Sequence, residues 1–200
     1  MRKSLVLGSL AAAVAASAAS ADVIVFTQLA AYNMYVGATD SYAVSESFDS
    51  YNGFYNSPLA GSSGGVNWLA TATGGIYASG GQFSTNNPTG LTFSFDSGVV
   101  RGIGGNFFAT DFNFNVVASY MLVSLNDGTS YFGEVTSANQ FLGFYSTGAA
   151  ITSVTIGAMS GGAGSVYPTV DNFQIAANPI PAPGAIALLG LAGLAGRRRR

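Results

Sequence analysis

The chain contains neither cysteine nor histidine. Without cysteine there is no disulfide, no thiolate nucleophile and no cysteine-ligated zinc. Without histidine, the Ser-His-Asp and Cys-His arrangements and every imidazole-bound metal are excluded as well. Charge is almost as scarce, at 8% of 200 residues, and it is unevenly placed. Arg2 and Lys3 open the chain, Arg197 to Arg200 close it, and Arg101 is the one base between them. All nine acids lie between Asp22 and Asp171, so the central stretch carries a net charge of −8. Such a surface repels phosphate backbones, which excludes nucleic acid as a partner, and it tolerates hard cations such as calcium.

What is abundant is glycine, 27 residues, and aromatic rings, with 14 Phe and 10 Tyr. Low charge with many rings argues for a packed core rather than a disordered chain. Gly, Ser, Thr, Val and Phe together suit short strands and tight turns. Met1 to Ala21 has a positive start, an apolar stretch from Leu5 to about Ala16, and Ala19-Ser20-Ala21. That is the pattern of a secretory signal peptide with Ala19 and Ala21 framing the signal-peptidase site, which puts the mature start at Asp22.

Residues 22–176 read as one domain. Asp22 to Phe26 is a first strand, and a short helix follows with Thr27 as its cap and Gly37 as its stop. Leu29, Tyr32 and Val36 give that helix one apolar stripe. From Asp40 the period becomes two, with Tyr42, Val44, Glu46 and Phe48 on one face. Asn52-Gly53 and Gly61 to Gly65 read as loops. Leu91, Phe93 and Phe95 point into a core. Val116 to Leu125 reads as a single inner strand, ended by the tight turn Asn126-Asp127-Gly128. With Asp127-Gly128 as a two-residue loop, Val123 faces Phe132. Phe141 to Tyr145, Ile151 to Ile156 and Val166 to Ile175 complete the strands. The expected fold is all-β: an antiparallel, jelly-roll-like β-sandwich with one short N-terminal helix, flanked by the signal peptide and a C-terminal apolar sorting helix.

Residues 177–200 form a linker and a three-part tail. Pro179, Pro181 and Pro183 hold the backbone extended, the shape a protease reads. Ala185 to Gly196 follows, built only of Ala, Ile, Leu and Gly. As a helix it spans about 18 Å, against about 30 Å of membrane hydrocarbon, so it pauses a translocating chain rather than anchoring it for good. Arg197, Arg198, Arg199 and Arg200 favour the cytoplasmic side and act as stop-transfer charges. Pro181-Ala182-Pro183-Gly184, the apolar run and the arginines resemble a PEP-CTERM sorting signal. That resemblance implies export across the inner membrane, transient anchoring there, and processing by an exosortase, a membrane-embedded cysteine transpeptidase. Ala182 stands where the name motif has Glu, so the cut site itself is not carried over. More loosely, Phe26-Thr27 before the helix, Glu46-Ser-Phe48-Asp49, Phe141-Leu-Gly-Phe144 and Val170-Asp171-Asn172-Phe173 resemble the lectin-like or carbohydrate-binding sandwiches often attached to such tails.

Two carboxylates share faces with apolar residues. Glu46 lies with Tyr42, Val44 and Phe48, and Asp171 lies with Phe173 and Ile175 if its strand is regular. A buried carboxylate needs a partner. Glu46 and Asp171 are therefore either solvated strand-end groups, or joined by a structural calcium ion or by Arg101. Calcium takes about six or more oxygens, so Asp49, Asn172 or backbone carbonyls would have to contribute. A hydrolase without His would need paired carboxylates, yet only Glu46 and Glu134 are glutamates. The Glu-x-Asp-x-x-Glu strand of laminarinase-like jelly rolls is missing, and Glu46-x-x-Asp49 is at best a fragment of it. The chain therefore reads as no enzyme, with no catalytic residue. Tyr55 and Trp68, beside Gly-rich loops, either stack on sugar rings or cover the core edge. The expectation is an exported, exosortase-sorted cell-surface or extracellular-matrix protein with a structural or adhesive role. The alternative is a carbohydrate-binding module for an exopolysaccharide.

Overall fold

The computed structural model describes residues 22–96, 98–162 and 164–178. The signal-cleavage positions Ala19 and Ala21, the motif Pro181 to Gly184 and Arg197 to Arg200 lie outside the described residues. The first third of the domain carries β1 (Val23–Phe26), α1 (Leu29–Gly37), β2 (Tyr42–Glu46), β3 (Gly53–Tyr55), β4 (Leu59–Ser63) and β5 (Val66–Ala72). Next come β6 (Ile76–Ser79), β7 (Gln82–Thr85), β8 (Leu91–Phe95), β9 (Val100–Thr110) and β10 (Val116–Val117). The last third carries β11 (Ser119–Leu125), β12 (Ser130–Val135), β13 (Phe141–Ser146), β14 (Ser153–Ser160) and β15 (Tyr167–Ala177).

The strands form two antiparallel sheets. The larger runs β1-β13-β9-β15-β7-β6-β3, with β10 beside β9 and β2 beside β15. The smaller runs β12-β11-β14-β8-β5-β4. From β11 onward the chain passes repeatedly between them, in the manner of a jelly roll. Period-two patterning explains the core. Leu91, Phe93 and Phe95 on β8, Val66, Trp68 and Ala70 on β5, and Met121, Val123 and Leu125 on β11 are all buried. They meet Phe83, Ile103, Phe107, Phe144, Val170 and Phe173 of the larger sheet in one cluster. β15 carries through Ala177, and the Asn178 amide donates to Val99, so ordered pairing extends two residues past the composition boundary at 176.

Helix α1 lies on the larger sheet over a floor of glycines. A Cβ on Gly102 would stand 2.7 Å from the Tyr32 hydroxyl, and one on Gly143 2.9 Å from the same ring. Their bare backbones are what let Tyr32 reach full burial. The helix starts one residue later than its sequence signal. Gln28, not Thr27, is extended and accepts the first intrahelical bond, from the Tyr32 amide, and it makes no side-chain cap. Of the expected stripe, Tyr32 and Val36 are buried, while Leu29 is exposed.

Three further expectations need correction. The Val116 to Leu125 run is not one strand: Val116 and Val117 pair with β9, and from Ser119 the chain pairs with β12 and β14 in the other sheet. The hairpin after it has three loop residues, not two, because the Leu125 amide bonds Thr129 and Gly128 adopts φ +90°. Leu122 therefore faces Phe132, and Val123 faces Tyr131. Lastly, Gly61 to Ser63 is strand, and only Gly64-Gly65 make the turn to β5.

Candidate functional site

The residues singled out in the sequence separate into different surroundings. Glu46 sits at the end of β2 opposite Phe173. Its Oε1 accepts the Phe48 amide at 3.0 Å and its Oε2 the Ser63 hydroxyl at 2.6 Å. The Ser63 oxygen in turn accepts the Trp68 indole N–H at 3.1 Å. Glu46 thus ties down Phe48, held at φ +57°, together with the one tryptophan. Trp68 is 2% exposed and packs edge-on to Phe48, Phe83 and Phe93. Its ring belongs to the core and is not presented to a sugar, because the Val66-Trp68-Ala70 alternation turns it inward. Tyr55 is half-buried against Tyr51, with its hydroxyl bonded to the Asn52 backbone.

Asp171 goes elsewhere. Between Asp171 and Gln174 the pairing of β15 with β9 slips by one residue, and Asn172 takes φ +49°. This bulge puts Phe173 into the core while Asp171 stays partly exposed, so the two do not share a face. The carboxylate near Asp171 is Asp49, not Glu46. A Cβ on Gly81, in the turn between β6 and β7, would stand 3.1 Å from Asp49 Oδ1, 3.3 Å from the Ser47 carbonyl and 3.8 Å from Asp171 Oδ1. Three oxygens are half of what calcium takes. No three acidic side chains converge among the described residues. Arg101 donates to the Gly148 carbonyl. It lies five residues along β9 from Asn106, the partner of Asp171, or about 16 Å away.

Burial raises the Asp171 carboxyl above its ordinary value, and the charge of Asp49 adds to this, against the Asn172 amide bond that lowers it. A raised folded-state value means stability that is present at low pH and lost as pH rises through that value. Asp171→Asn removes the ionised form and keeps an acceptor for Asn172. It should raise the urea midpoint at pH 7, and the gain should vanish below the ordinary carboxylate range. A gain that did not change with pH would assign the effect to something other than ionisation.

The most site-like feature is one the sequence reading passed over. Between β9 and β10, Asp111 folds the chain back on itself. Its Oδ1 accepts the amides of Asn113 and Asn115 at 2.8 and 2.9 Å, and its Oδ2 accepts Asn115 Nδ2 at 2.9 Å. The Asp111 amide also bonds the Asn115 carbonyl, and the Phe114 amide the Asp111 carbonyl. The Asn115 side chain, followed by the two backbone amides, holds this carboxyl below its usual range. The loop thrusts Phe112 into solvent, 78% exposed, and fixes Phe114 at φ +63°. Phe114 then meets Tyr77 of β6 at 5.6 Å between ring centroids.

Loop and sheet enclose a cleft of about 380 Å³, lined by Tyr77, Ser79, Asn86, Phe112, Asn113 and Phe114 around a hydroxyl floor. In that floor Thr110 and Thr169 share a 3.1 Å bond, Thr169 donates to Ser84 at 2.9 Å, and Ser84 donates to the Pro168 carbonyl at 3.3 Å. A larger hollow of about 650 Å³ on β4, β5 and β8 offers Leu69 with Ser62, Asn67, Ser94 and Asp96. Its two aromatic residues, Trp68 and Phe95, are turned into the core. The signal for the cleft was in the sequence. Asp111-Phe-Asn-Phe-Asn115 alternates like a strand, but Asp and Asn two and four residues apart are Asx-turn chemistry. Comparison with known protein families, with curated proteins and with solved structures returns no match.

Proposed function

We propose that the protein is exported, handled by an exosortase at its C-terminal tail, and retained at the cell surface or in the extracellular matrix. Its sandwich there has a structural or adhesive role and no catalytic one. The carrying observation is the tail: Pro181-Ala182-Pro183-Gly184, an apolar run too short to stay in the membrane, and four terminal arginines, paired with a signal-peptide pattern at the other end. The adhesive role draws support from the outer face of the smaller sheet. Tyr120, Leu122, Phe132 and Met159 are exposed there, with Tyr120 and Phe132 stacked at 5.4 Å. The non-catalytic role draws support from the absence of His and Cys and from Glu46, both of whose oxygens are engaged in holding the core edge.

Protein recovered from the surface of an exosortase-containing cell should have an intact mass that starts at Asp22 and ends before the apolar run. In the same cell lacking the exosortase, the mass should include Arg197 to Arg200. A surface form that keeps those arginines in both cells would sink the sorting reading. The second reading, a carbohydrate-binding module for an exopolysaccharide, is favoured by the cleft beside the Asp111 loop. It does not rest on Trp68.

A further inference from the structure

We infer that the cleft between the Asp111–Asn115 loop and strands β6 and β7 is a binding site for a neutral glycan, stacked on Phe112, Phe114 and Tyr77. This deepens the carbohydrate-binding reading and rests on it; the sorting reading stands apart.

Three independent features meet in the cleft. The first is exposed ring area held rigid. Phe112 is 78% exposed and Tyr77 39%, and both belong to elements pinned by hydrogen bonds rather than to free loops. A large apolar ring kept in water at a fixed position stabilises nothing in the fold, and such rings mark recognition surfaces. The second is local strain. Phe114, a bulky residue, sits at φ +63°, a conformation that costs of order 1 kcal/mol or more and persists only where its surroundings enforce it. Here the Asp111 carboxylate enforces it, through three side-chain hydrogen bonds across the loop. The outcome is a ring set against Tyr77 at 46°, which makes two walls of a notch.

The third feature is the polarity of the rest. Ser79, Asn86 and Asn113 supply a hydroxyl and amides at its rim, over a floor of nearly buried Ser84, Thr85 and Thr110, and no Lys or Arg lines the cleft. The one ionised group, Asp111, is turned into its own loop. Apolar faces for C–H groups beside neutral donors and acceptors match a sugar ring, which has one C–H face and a rim of hydroxyls. The central charge of −8 and the lack of a cation in the cleft reject uronate, sulfated or phosphorylated polymers. At about 380 Å³ the cleft is within the usual range for small-ligand sites.

The test uses the purified full-length protein and four neutral hexasaccharides (β-1,4-gluco, β-1,3-gluco, α-1,4-gluco and β-1,4-manno), with hexagalacturonate as the acidic counterpart. Binding is read by calorimetric titration and by saturation-transfer NMR. At least one neutral hexasaccharide should bind saturably and hexagalacturonate should not. Phe112→Ala and Tyr77→Ala should each weaken that binding by about tenfold, as expected for aromatic anchors. Phe132→Ala, on the opposite sheet face, should leave it unchanged. Phe114→Gly removes a ring while relieving the backbone, so it should lose affinity with the melting temperature maintained. That separates a lost contact from a lost fold. The assignment is overturned if no neutral hexasaccharide saturates, if hexagalacturonate binds as well, or if binding survives both Phe112→Ala and Tyr77→Ala. None of these outcomes touches the processing of the tail, which the intact-mass measurement reads separately.

Discussion

Phe173→Ala should lower the melting temperature by about 10 °C or more. Truncating a fully buried phenylalanine typically costs about 3–5 kcal/mol, the sum of lost transfer energy and an unfilled cavity. In a domain of this size each kcal/mol is worth about 2–4 °C. Phe173 belongs at the upper end for a structural reason. Its ring stacks on Phe93 at 4.7 Å and lies 6.4 Å from Phe95, both on β8 of the smaller sheet. It also stands 6.4 Å from Phe107 on β9 and from Phe48 after β2. One side chain therefore bridges the two layers, and the four rings around it are rigid groups that cannot bend into the space it leaves. Phe173→Leu retains most of the volume and should cost less than half as much. Urea unfolding followed by near-ultraviolet circular dichroism would measure both. An alanine variant within about 1 kcal/mol of the parent would mean that the inter-layer space closes easily, contrary to the packing seen.

Phe173 also illustrates which parts of the fold are legible in the sequence. Alternation announces Leu91, Phe93 and Phe95 as core, and they are buried; helical spacing announces Tyr32 and Val36 as the inner stripe of the helix, though it also includes Leu29, which is exposed. Alternation fails where a residue is added. Nothing in Val170-Asp171-Asn172-Phe173 says that the strand bulges, except that Asn tolerates a positive φ better than most residues. Without the bulge, Asp171 would face inward beside Phe173, which is how the regular pattern reads. The hairpin register fails for a related reason. Asn126-Asp127-Gly128 suits a two- or a three-residue loop, and the choice is made by tertiary contacts: Asn126 Oδ1 accepts the amides of Thr152 and Ser153. Glycine left Trp68 open. Gly61 to Gly65 reads as a loop, beside which the indole either stacks on a sugar or covers the core edge. The structure decides for the core, with Gly61 in a strand directly across from Trp68, where any Cβ would overlap the indole ring. The cleft was missed because its defining contact, Tyr77 with Phe114, joins segments 37 residues apart.

Glu46→Ala should cost about 3 kcal/mol, a large effect for a half-buried side chain at a strand end. The reason is the direction in which protons are handed along. The indole N–H of Trp68 can only donate, and it gives to Ser63 Oγ. Ser63 spends its single proton on Glu46 Oε2, and the other carboxylate oxygen takes the Phe48 amide. Hydrogen bonds to a charged acceptor contribute about 1.5–3 kcal/mol each, and a donor stranded by removal of its partner costs about 1–3 kcal/mol. Two such bonds disappear in the alanine variant. The net loss is below their sum because Glu46 lies at the sheet margin, where water can reach part of the gap. Glu46→Gln keeps one carbonyl acceptor and replaces the other with a donor. With its carbonyl on the Phe48 amide and its Nε2 donating to Ser63 Oγ, it leaves only the Ser63 proton without its acceptor, so it should lose about half as much. Ser63→Ala combined with Glu46→Ala should cost clearly less than the two changes added, because both cut the same chain. Urea midpoints give the energies. Fluorescence of the one tryptophan shows where the change is felt, and its emission should shift to the red in Glu46→Ala as water approaches the indole. An alanine variant within about 0.5 kcal/mol of the parent, with unshifted emission, would mean that the carboxylate is simply solvated and that Phe48 and Trp68 hold their places without it.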